Sequence, residues 1–316
     1  MRIRHITLFT LAVLFSALIV HAQPAKKYWL FAYFREPGTQ GFYLAISSDG
    51  YHFAPLNHDQ PWIKPTQPGE IMRDVYITQG PDHIYRMVWT WGWHGNCFGY
   101  AESPDLIHWS KQRKIPIMEN FPKTRNVWAP VTYWDASRQK WIILWSSTVD
   151  DIGLGNRIYY SLTKNFQHFT IPELLFDPGY VVIDATIYHG TKKYYLIFKD
   201  QSVYPLRYQV RYATGPSYEG PWSKLSGPIT PSWSEGASVL HIGKEFIVYY
   251  DHYRVPIRYE GVESADWIHW RSIDNQISFP AHCKHGSFLQ ISTKEAALLI
   301  DHYSSDSTAE NKTQEQ

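Results

Sequence analysis

The segment SSDGYHF at residues 47–53 recurs in altered form along the chain and decides the predicted fold. Each copy has a small or polar turn followed by an aromatic residue that starts a short strand. The other copies are SPDLIHW (103–109), TKNFQHF (163–169), the looser GPSYEGPW (215–222) and SADWIHW (264–270). The closing aromatic residues are 56, 60, 53 and 48 positions apart. A period of about 50 residues is typical of propeller blades.

Two runs rich in aromatic and β-branched residues precede each copy, for example YRMVWTW and then CFGYAES, and such runs predict strands. Four units begin with an extra strand, containing RDVYITQ, APVTYW, DATIYH and EGASVLHI. The first unit lacks this strand, whereas HGSFLQIS at residues 285–292 is a strand without a unit. Adding it to the first unit predicts an all-β, five-bladed β-propeller, closed by the C-terminal strand so that no sheet edge stays open. The rival architecture, a pair of β-sandwiches, does not explain the regular punctuation.

The two ends of the chain differ in composition from the rest. Two arginines precede a short apolar stretch that leads to Ala22, a pattern typical of a cleaved secretory signal peptide. A membrane anchor is the alternative, although the stretch is short for a membrane span. We therefore expect a signal peptide at 1–22, a propeller domain at 23–296 and a polar C-terminal tail at 297–316. The protein is expected to be exported, to the periplasm or the extracellular space.

The charge balance argues against anionic partners. The chain has 30 Lys and Arg against 29 Asp and Glu residues, and without residues 1–22 its formal charge is −1. With no basic excess and no long charge run, neither nucleic acid nor a membrane surface is an expected partner. Cys97 and Cys283 could pair in an oxidising compartment or remain two buried thiols, and the sequence leaves both open.

Asp184 lies in the run VVIDATIY (181–188), which is otherwise typical of a strand buried on both faces. A carboxylate there is costly unless it is paired, hydrogen-bonded or hydrated. The first strand of each propeller blade lines the central channel, so equivalent residues of these strands converge. Counting along the leading strands at intervals of 55, 55, 51 and 50 residues gives Asp74, Ala129, Asp184, Glu235 and His285. Three acids among five equivalent positions predict one pocket that holds three carboxylates.

Three neighbouring carboxylates suit the hydrolysis of a glycosidic bond. One must be protonated to give a proton to the leaving oxygen, and another must be ionised to activate water. Crowding raises the pKa of some of them, so neighbouring acids divide into different proton states. The sequence contains no Gly-rich phosphate loop, no HExxH and no G-x-S-x-G motif.

In MRDVYITQGPDHIYRMVWTWGW, VWAP, VIDATIYH, WSEGASVL and HCKHGSFL, the chain resembles family 43 glycoside hydrolases, over residues 28–292. This resemblance implies that Asp74 is the general base, Asp184 modulates pKa and Glu235 is the general acid. It also implies inversion, with base and acid about 6.5–9.5 Å apart. The implied product is a terminal pentose, α-L-arabinofuranose or β-D-xylose, released from an oligo- or polysaccharide.

Two positions depart from the pattern of the family. Relatives have proline after the first aspartate and after the EG pair, where this chain has Val75 and Ala237. Neither change removes a carboxylate, but proline restricts the backbone, so the substrate or the activity could differ. A carbohydrate-binding propeller with weak or no turnover is therefore kept as the alternative, and a protein-binding propeller as a third reading.

Aromatic and cationic residues near the expected carboxylates are candidates for substrate binding, because sugars stack on aromatic faces. They are Trp93, Trp128, Tyr33, Phe34, Arg254 and His285. In the family that the chain resembles, a histidine at position 285 lies near a calcium or sodium ion in the channel. Calcium prefers oxygen ligands, and no Asp-rich loop here builds a site for it. The alternative is that His285 only forms hydrogen bonds to the backbone where the ring closes. We expect no required cofactor and no metal ligand, with a structural calcium or sodium ion in the central channel as what the resemblance implies.

Overall fold

The computed structural model describes residues 27–67, 69–153 and 155–302. The predicted signal peptide and residues 303–316 of the predicted tail lie outside this part of the chain, so both assignments stay predictions. Within it, no helix is long and apolar enough to span a bilayer.

The described residues form nineteen strands. In chain order they are β1 (Lys27–Phe34), β2 (Phe42–Ser47), β3 (Ala54–Pro55), β4 (Arg73–Gln79), β5 (Tyr85–Thr90), β6 (Phe98–Ser103), β7 (Arg113–Ile115), β8 (Trp128–Asp135), β9 (Lys140–Ser147), β10 (Arg157–Thr163), β11 (Glu173–Phe176), β12 (Val182–His189), β13 (Tyr194–Asp200), β14 (Gln209–Gly215), β15 (Ser234–Ile242), β16 (Glu245–His252), β17 (Arg258–Ser264), β18 (Arg271–Ser272) and β19 (Lys284–Ser292).

These strands form five antiparallel sheets, which confirms the five-bladed propeller. The innermost strands β19, β4, β8, β12 and β15 contact one another in a closed ring. Strand β19 pairs with β1, with Lys27 opposite Ser292, so the last strand completes the first blade as predicted. The continuous ring excludes a pair of β-sandwiches.

The fourth blade differs from the others because it has three strands, β12, β13 and β14. Its outer segment forms a bridge between Thr214 and Ser223 and two further backbone hydrogen bonds to β14, from Ser226 to Tyr212 and from Ile229 to Val210, but no continuous ladder. Pro216 and Pro221 flank that bridge and have no N–H group for a longer ladder. The looser repeat at residues 215–222 is the sequence sign of this missing strand.

A helix follows the last strand over residues 293–302. Its residues Ala296 and Leu299 are buried in an apolar cluster of the first two blades. The boundary predicted between propeller and tail, at residue 296, therefore falls inside an ordered helix.

The repeated segment is a turn in which side chains replace missing backbone partners. In the first copy, Ser47 Oγ accepts the N–H of Gly50, and Asp49 Oδ1 accepts the N–H groups of Tyr51 and His52. Asp49 Oδ2 also lies 2.8 Å from His52 Nδ1. The copies at Ser103, Thr163 and Ser264 repeat the hydroxyl bond. The turn explains why a small hydroxyl residue and Asp or Asn recur two positions apart.

The apolar core lies between neighbouring blades and consists largely of aromatic rings. Phe31 of β1, for example, contacts Tyr259 of the fifth blade and Phe53 of the first at centroid distances of 5.1 and 5.7 Å. Burial of each such side chain contributes about 1.5–3 kcal/mol. Cys97 and Cys283 are both buried free thiols, so they do not form a disulfide.

Candidate active site

Each innermost strand has a β-bulge near the channel, where two of its residues lose their regular partners. The bulges begin at Arg73, Trp128, Ile183, Glu235 and Lys284. The second residue of each bulge has a positive φ, and these residues are Asp74 (53°), Ala129 (46°), Asp184 (55°), Gly236 (61°) and His285 (23°). A repeated bulge of this kind turns the strand and re-aims side chains.

This geometry corrects the predicted equivalence of the acids. Asp74, Asp184 and His285 do occupy the same position, but Gly236 fills it in the fifth blade and Glu235 lies one residue earlier. The glycine is required, because a Cβ at Gly236 would lie 2.6 Å from Cγ of His285. The His285 ring thus occupies the space that a side chain at position 236 would need.

Hydrogen bonds between blades hold the bulges in place. A side-chain oxygen on the second strand of one blade accepts the N–H of the bulge residue in the next blade. The pairs are Ala129 with Thr90 (2.8 Å), Asp184 with Ser146 (3.1 Å) and His285 with Asp251 (2.8 Å). In the fourth blade Lys199 takes this position and has no acceptor, so Gly236 N–H donates instead to Asp184 Oδ2 at 3.2 Å.

Asp74 is partly buried and accepts hydrogen bonds at both carboxylate oxygens. Thr90 Oγ1 donates to Oδ2 at 2.6 Å, and His285 Nδ1 lies 3.1 Å from Oδ1. Burial raises the pKa of Asp74, but the His285 cation, Arg73 and the hydroxyl lower it to about 2. Asp74 is therefore a carboxylate at neutral pH, as a general base must be.

Asp184 has the opposite balance of interactions. It is 8% exposed, and His285 Nδ1 is 4.0 Å from its Oδ2, beyond hydrogen-bond range. Burial raises the pKa of Asp184, and the charge of Glu235 raises it further. The charges of His285 and Lys199 lower it, and the net pKa is about 6. Asp184 is the carboxyl of the cluster that takes up a proton first.

Glu235 is held by two lysines. Lys199 Nζ donates to Oε2 at 2.7 Å and Lys284 Nζ to Oε1 at 3.4 Å. Burial raises the pKa of Glu235, but these two ammonium groups and the Lys199 hydrogen bond outweigh it, so the net pKa lies below the ordinary value. Glu235 is thus ionised near neutral pH in the free protein.

His285 is a cation in this environment. Burial lowers its pKa, but the charges of Asp74 and Asp184 raise it to about 9. A protonated imidazole has no lone pair for a metal ion. Across the described residues, no group of three or more His, Cys, Asp and Glu side chains could hold a metal. Protonated His285 would not bind an ion directly, and the predicted channel ion stays a prediction.

Two cavities meet at Glu235. The first, the carboxylate cavity, has a volume of about 250 Å³ and brings the three predicted acids together. Its lining is Arg73, Asp74, Thr90, Trp93, Trp128, Ile183, Asp184, Gln201, Glu235 and His285. The second cavity, about 530 Å³, is lined by Arg35, Glu36, Gln40, Glu235, Tyr253, Ile257, His282 and Lys284.

Trp93 and Trp128 lie where the sequence predicts them, on the wall of the carboxylate cavity. Trp93 is 48% exposed, its ring meets that of Trp128 edge to face, and Trp128 Nε1 donates to its carbonyl at 3.0 Å. The Arg73 guanidinium lies 4.3 Å from the Trp93 ring centroid and 4.4 Å from that of Phe34. Phe34 therefore supports Arg73 and is not a wall of the pocket.

Two other candidates do not reach the cavities. Tyr33 is fully buried, stacks on Phe31 and Tyr43, and donates its hydroxyl to Asp59 at 3.3 Å. The Tyr33 side chain points from β1 into the space between blades. The prediction that Tyr33 and Phe34 form a wall of the pocket is therefore wrong for both residues. Arg254 is exposed and lies 3.7 Å from the Trp233 ring centroid, outside the lining of both cavities.

The sequence interpretation missed the cations that control Glu235. Lys199 is a charged residue inside the apolar strand YYLIFKD, the same signal that identified Asp184. Lys284 directly precedes His285, at the bulge position equivalent to Glu235. Thr90 and Gln201, which also line the carboxylate cavity, had no such signal.

Sequence comparison matches this chain to glycoside hydrolases. An α-L-arabinofuranosidase of Bifidobacterium longum subsp. longum is 30% identical over 117 residues, covering 32% of this chain and 11% of that protein. The chain thus matches a small part of the relative's length.

Solved structures share the fold at low identity. An α-L-arabinofuranosidase from Lactobacillus brevis has a TM-score of 0.53 and 18% identity, with 64% of this chain and 72% of that chain covered. A Bacteroides thetaiotaomicron structure described as an endo-1,4-β-xylanase has a TM-score of 0.58 and 14% identity, with 83% and 93% covered. A family model related to glycosyl hydrolase family 43, described as a probable glycosyl hydrolase domain, matches residues 24–297. The chain therefore belongs to the glycosyl hydrolase 43-related family.

Proposed function

We propose that the protein hydrolyses a glycosidic bond with inversion, using Asp74 as base, Glu235 as acid and Asp184 as modulator. The observation that carries the proposal is the carboxylate cavity, where the three acids have distinct electrostatic environments. Pairs of carboxyl groups with separated pKa values are the usual requirement of glycosidases.

In the proposed reaction, water attacks the anomeric carbon and gives a proton to Asp74. At the same time Glu235 gives a proton to the leaving oxygen, and the bond between that oxygen and the anomeric carbon breaks. Glu235 lines both cavities, so we assign the released sugar to the carboxylate cavity and the leaving group to the second cavity. The separation of about 6.5–9.5 Å between the base and acid carboxyls stays part of this proposal.

Proton supply to Glu235 sets the conditions of this reaction. Both of its oxygens face lysines, so the free protein holds it ionised near neutral pH. Asp184, whose pKa is about 6, is the neighbouring acid that can carry a proton in weakly acidic solution. We therefore expect hydrolysis to be faster in weakly acidic than in neutral solution.

The proposed substrate is an oligo- or polysaccharide with a terminal α-L-arabinofuranose or β-D-xylose. The Bifidobacterium relative is an α-L-arabinofuranosidase, which supports arabinofuranose, and the cavity volume of about 250 Å³ suits one small sugar ring. Trp93 and Trp128 offer aromatic surface for its apolar face. Export before action and a calcium or sodium ion in the channel belong to the same proposal.

The test is hydrolysis of 4-nitrophenyl α-L-arabinofuranoside and β-D-xyloside at pH 5 and pH 7, with Asp74→Asn as the control for contaminating activity. We expect release by the wild type alone, and proton NMR of the first product should show the inverted anomer. Retention of configuration would contradict the assigned roles. No release from either glycoside would reject the pentose, and a wider glycan panel would follow.

A carbohydrate-binding propeller with little turnover is the second candidate, and the lysines at Glu235 favour it. Such a protein would bind a released oligosaccharide without cleaving it. Isothermal titration calorimetry at pH 7, with the two glycosides and the glycan panel, distinguishes the binding protein from the hydrolase. Binding without product would support the binding protein.

A further inference from the structure

Lys199 breaks the pattern of hydrogen bonds between blades. The equivalent position is filled in three other blades by Thr90, Ser146 and Asp251, each of which accepts an N–H from the next blade, and in the first blade by the apolar Phe34. A lysine ammonium has no acceptor and cannot do this. Departures from a local structural rule are expected at functional sites.

The ammonium of Lys199 is used at Glu235 instead. The side chain is 3% exposed, and its Nζ lies 2.7 Å from Glu235 Oε2. The same nitrogen lies 4.4 Å from the ring centroid of Tyr253 and 5.4 Å from that of Tyr208. Burying an ammonium group costs several kcal/mol unless it is paired, so Glu235 is the partner that retains it.

Lys284 does not duplicate this role. Its Nζ lies 2.8 Å from Asp251 Oδ2 and 3.4 Å from Glu235 Oε1, so it is shared between two carboxylates. Lys199 forms the shorter contact with Glu235 and has no second carboxylate within ion-pair distance in the described residues.

We propose that Lys199 is a positioning residue for the proposed hydrolysis, which holds the Glu235 carboxylate where the two cavities meet and sets the pH below which Glu235 can donate a proton. The inference rests on the proposed function and adds to it a residue that does not touch the reacting atoms. Other charged or titratable groups also face Glu235, and these are Arg73, Asp184, Asp251, Tyr253, Lys284 and His285.

The first experiment titrates Glu235 directly, by NMR of protein labelled with ¹³C at the glutamate carboxyl carbons, with Glu235→Gln to assign the signal. We expect a wild-type midpoint below 4.5, the ordinary value for glutamate. In Lys199→Met, whose side chain is uncharged and one atom shorter, the midpoint should rise by at least about one pH unit. Lys199→Arg should return it towards the wild-type value.

Lys193→Met is the matched control. Lys193 precedes the same strand, is exposed and lies over the ring of Tyr195, far from Glu235 in its contacts. Its variant should keep the wild-type midpoint. An unchanged midpoint in folded Lys199→Met would overturn the proposal. If that variant does not fold, a wild-type midpoint above 4.5 would overturn it instead.

The second experiment measures kcat/KM against pH. Loss of the proton from Glu235 determines the alkaline limb for an unactivated oligosaccharide, so Lys199→Met should move that limb to higher pH. A nitrophenyl glycoside needs little protonation and should show no such shift. A purely structural Lys199 would lower activity on both substrates without moving the limb. If the wild type cleaves no glycoside, the proposed function fails while the NMR titration still decides the role of Lys199.

Discussion

Asp74 and Glu235 are both partly buried carboxylates beside cations, yet their surroundings prepare them for different work. Asp74 is bound by a hydroxyl and an imidazolium, whereas Glu235 is bound by two ammonium groups. The imidazolium loses its proton near pH 9, while the lysines, whose pKa values are raised, stay charged well beyond that. Proton supply therefore limits Glu235, which must donate a proton. It does not limit Asp74, which must be ionised to act as the base.

Removal of the Asp74 charge should have the largest effect. Asp74→Asn keeps the size of the side chain, and asparagine tolerates the positive φ of 53°, so the fold should survive. Without a base, kcat should fall by about 10³-fold or more. Steady-state assays at pH 5 measure it, with Asp151→Asn on the exposed surface as the control. Activity within tenfold of the wild type would show that another group activates water.

Glu235→Gln should have a smaller effect that depends on the leaving group. Hydrolysis of an unactivated oligosaccharide should fall by about 10²-fold, because the leaving oxygen loses its proton donor. With a nitrophenyl leaving group the loss should be much smaller. Comparison of kcat/KM for the two substrate types measures it. Equal losses on both would mean that Glu235 does not act as the acid.

Gly236→Ala tests whether the space beside His285 matters. Gly243 has a similar φ of 62° but open surroundings, so Gly243→Ala should cost about 1 kcal/mol from backbone strain alone. Gly236→Ala should lower the free energy of unfolding by about 2 kcal/mol more than Gly243→Ala, because its Cβ would overlap the His285 ring. Urea unfolding of both variants measures the difference. Equal losses would show that His285 moves aside freely.

His285→Asn should remove a pH dependence of stability. The folded-state pKa of about 9 lies above the ordinary 6.5, so protonated His285 stabilises the fold below pH 6.5 and the stabilisation disappears as pH rises through 9. As pH rises from 6.5 to 9, the free energy of unfolding of the wild type should fall by about 2 kcal/mol relative to that of the variant. Urea unfolding at pH 6 and pH 9.5 measures it, with the exposed His94→Asn as the control. Parallel pH dependences in wild type and variant would contradict the pairing of His285.

The fold followed from the sequence because its signals are local and repeated. The turn segments use hydroxyl and Asp or Asn side chains at set positions, and the strands between them have clear composition. The weak copy at 215–222 even coincides with the blade that has three strands.

The site was predicted less completely, for two physical reasons. A bulge adds a residue to one strand without changing its composition, so spacing alone placed Glu235 where the structure has Gly236. Tyr33 and Phe34 were assigned to a wall because strand ends near a pocket look alike in sequence, although their side chains pack between blades or under Arg73. The partners of a charge, such as Lys199 for Glu235, come from distant strands that only the fold brings together.

The pairing of β19 with β1 has a consequence for the order of events during synthesis. Lys27 and Gln290, joined by a hydrogen bond, are separated by 263 positions, so the first blade to be made is the last to be completed. Such distant pairings slow folding because loop closure must come first. Strand β19 also carries Lys284 and His285, the partners of Glu235 and Asp74. A nascent chain therefore has no assembled site until its last strand has docked.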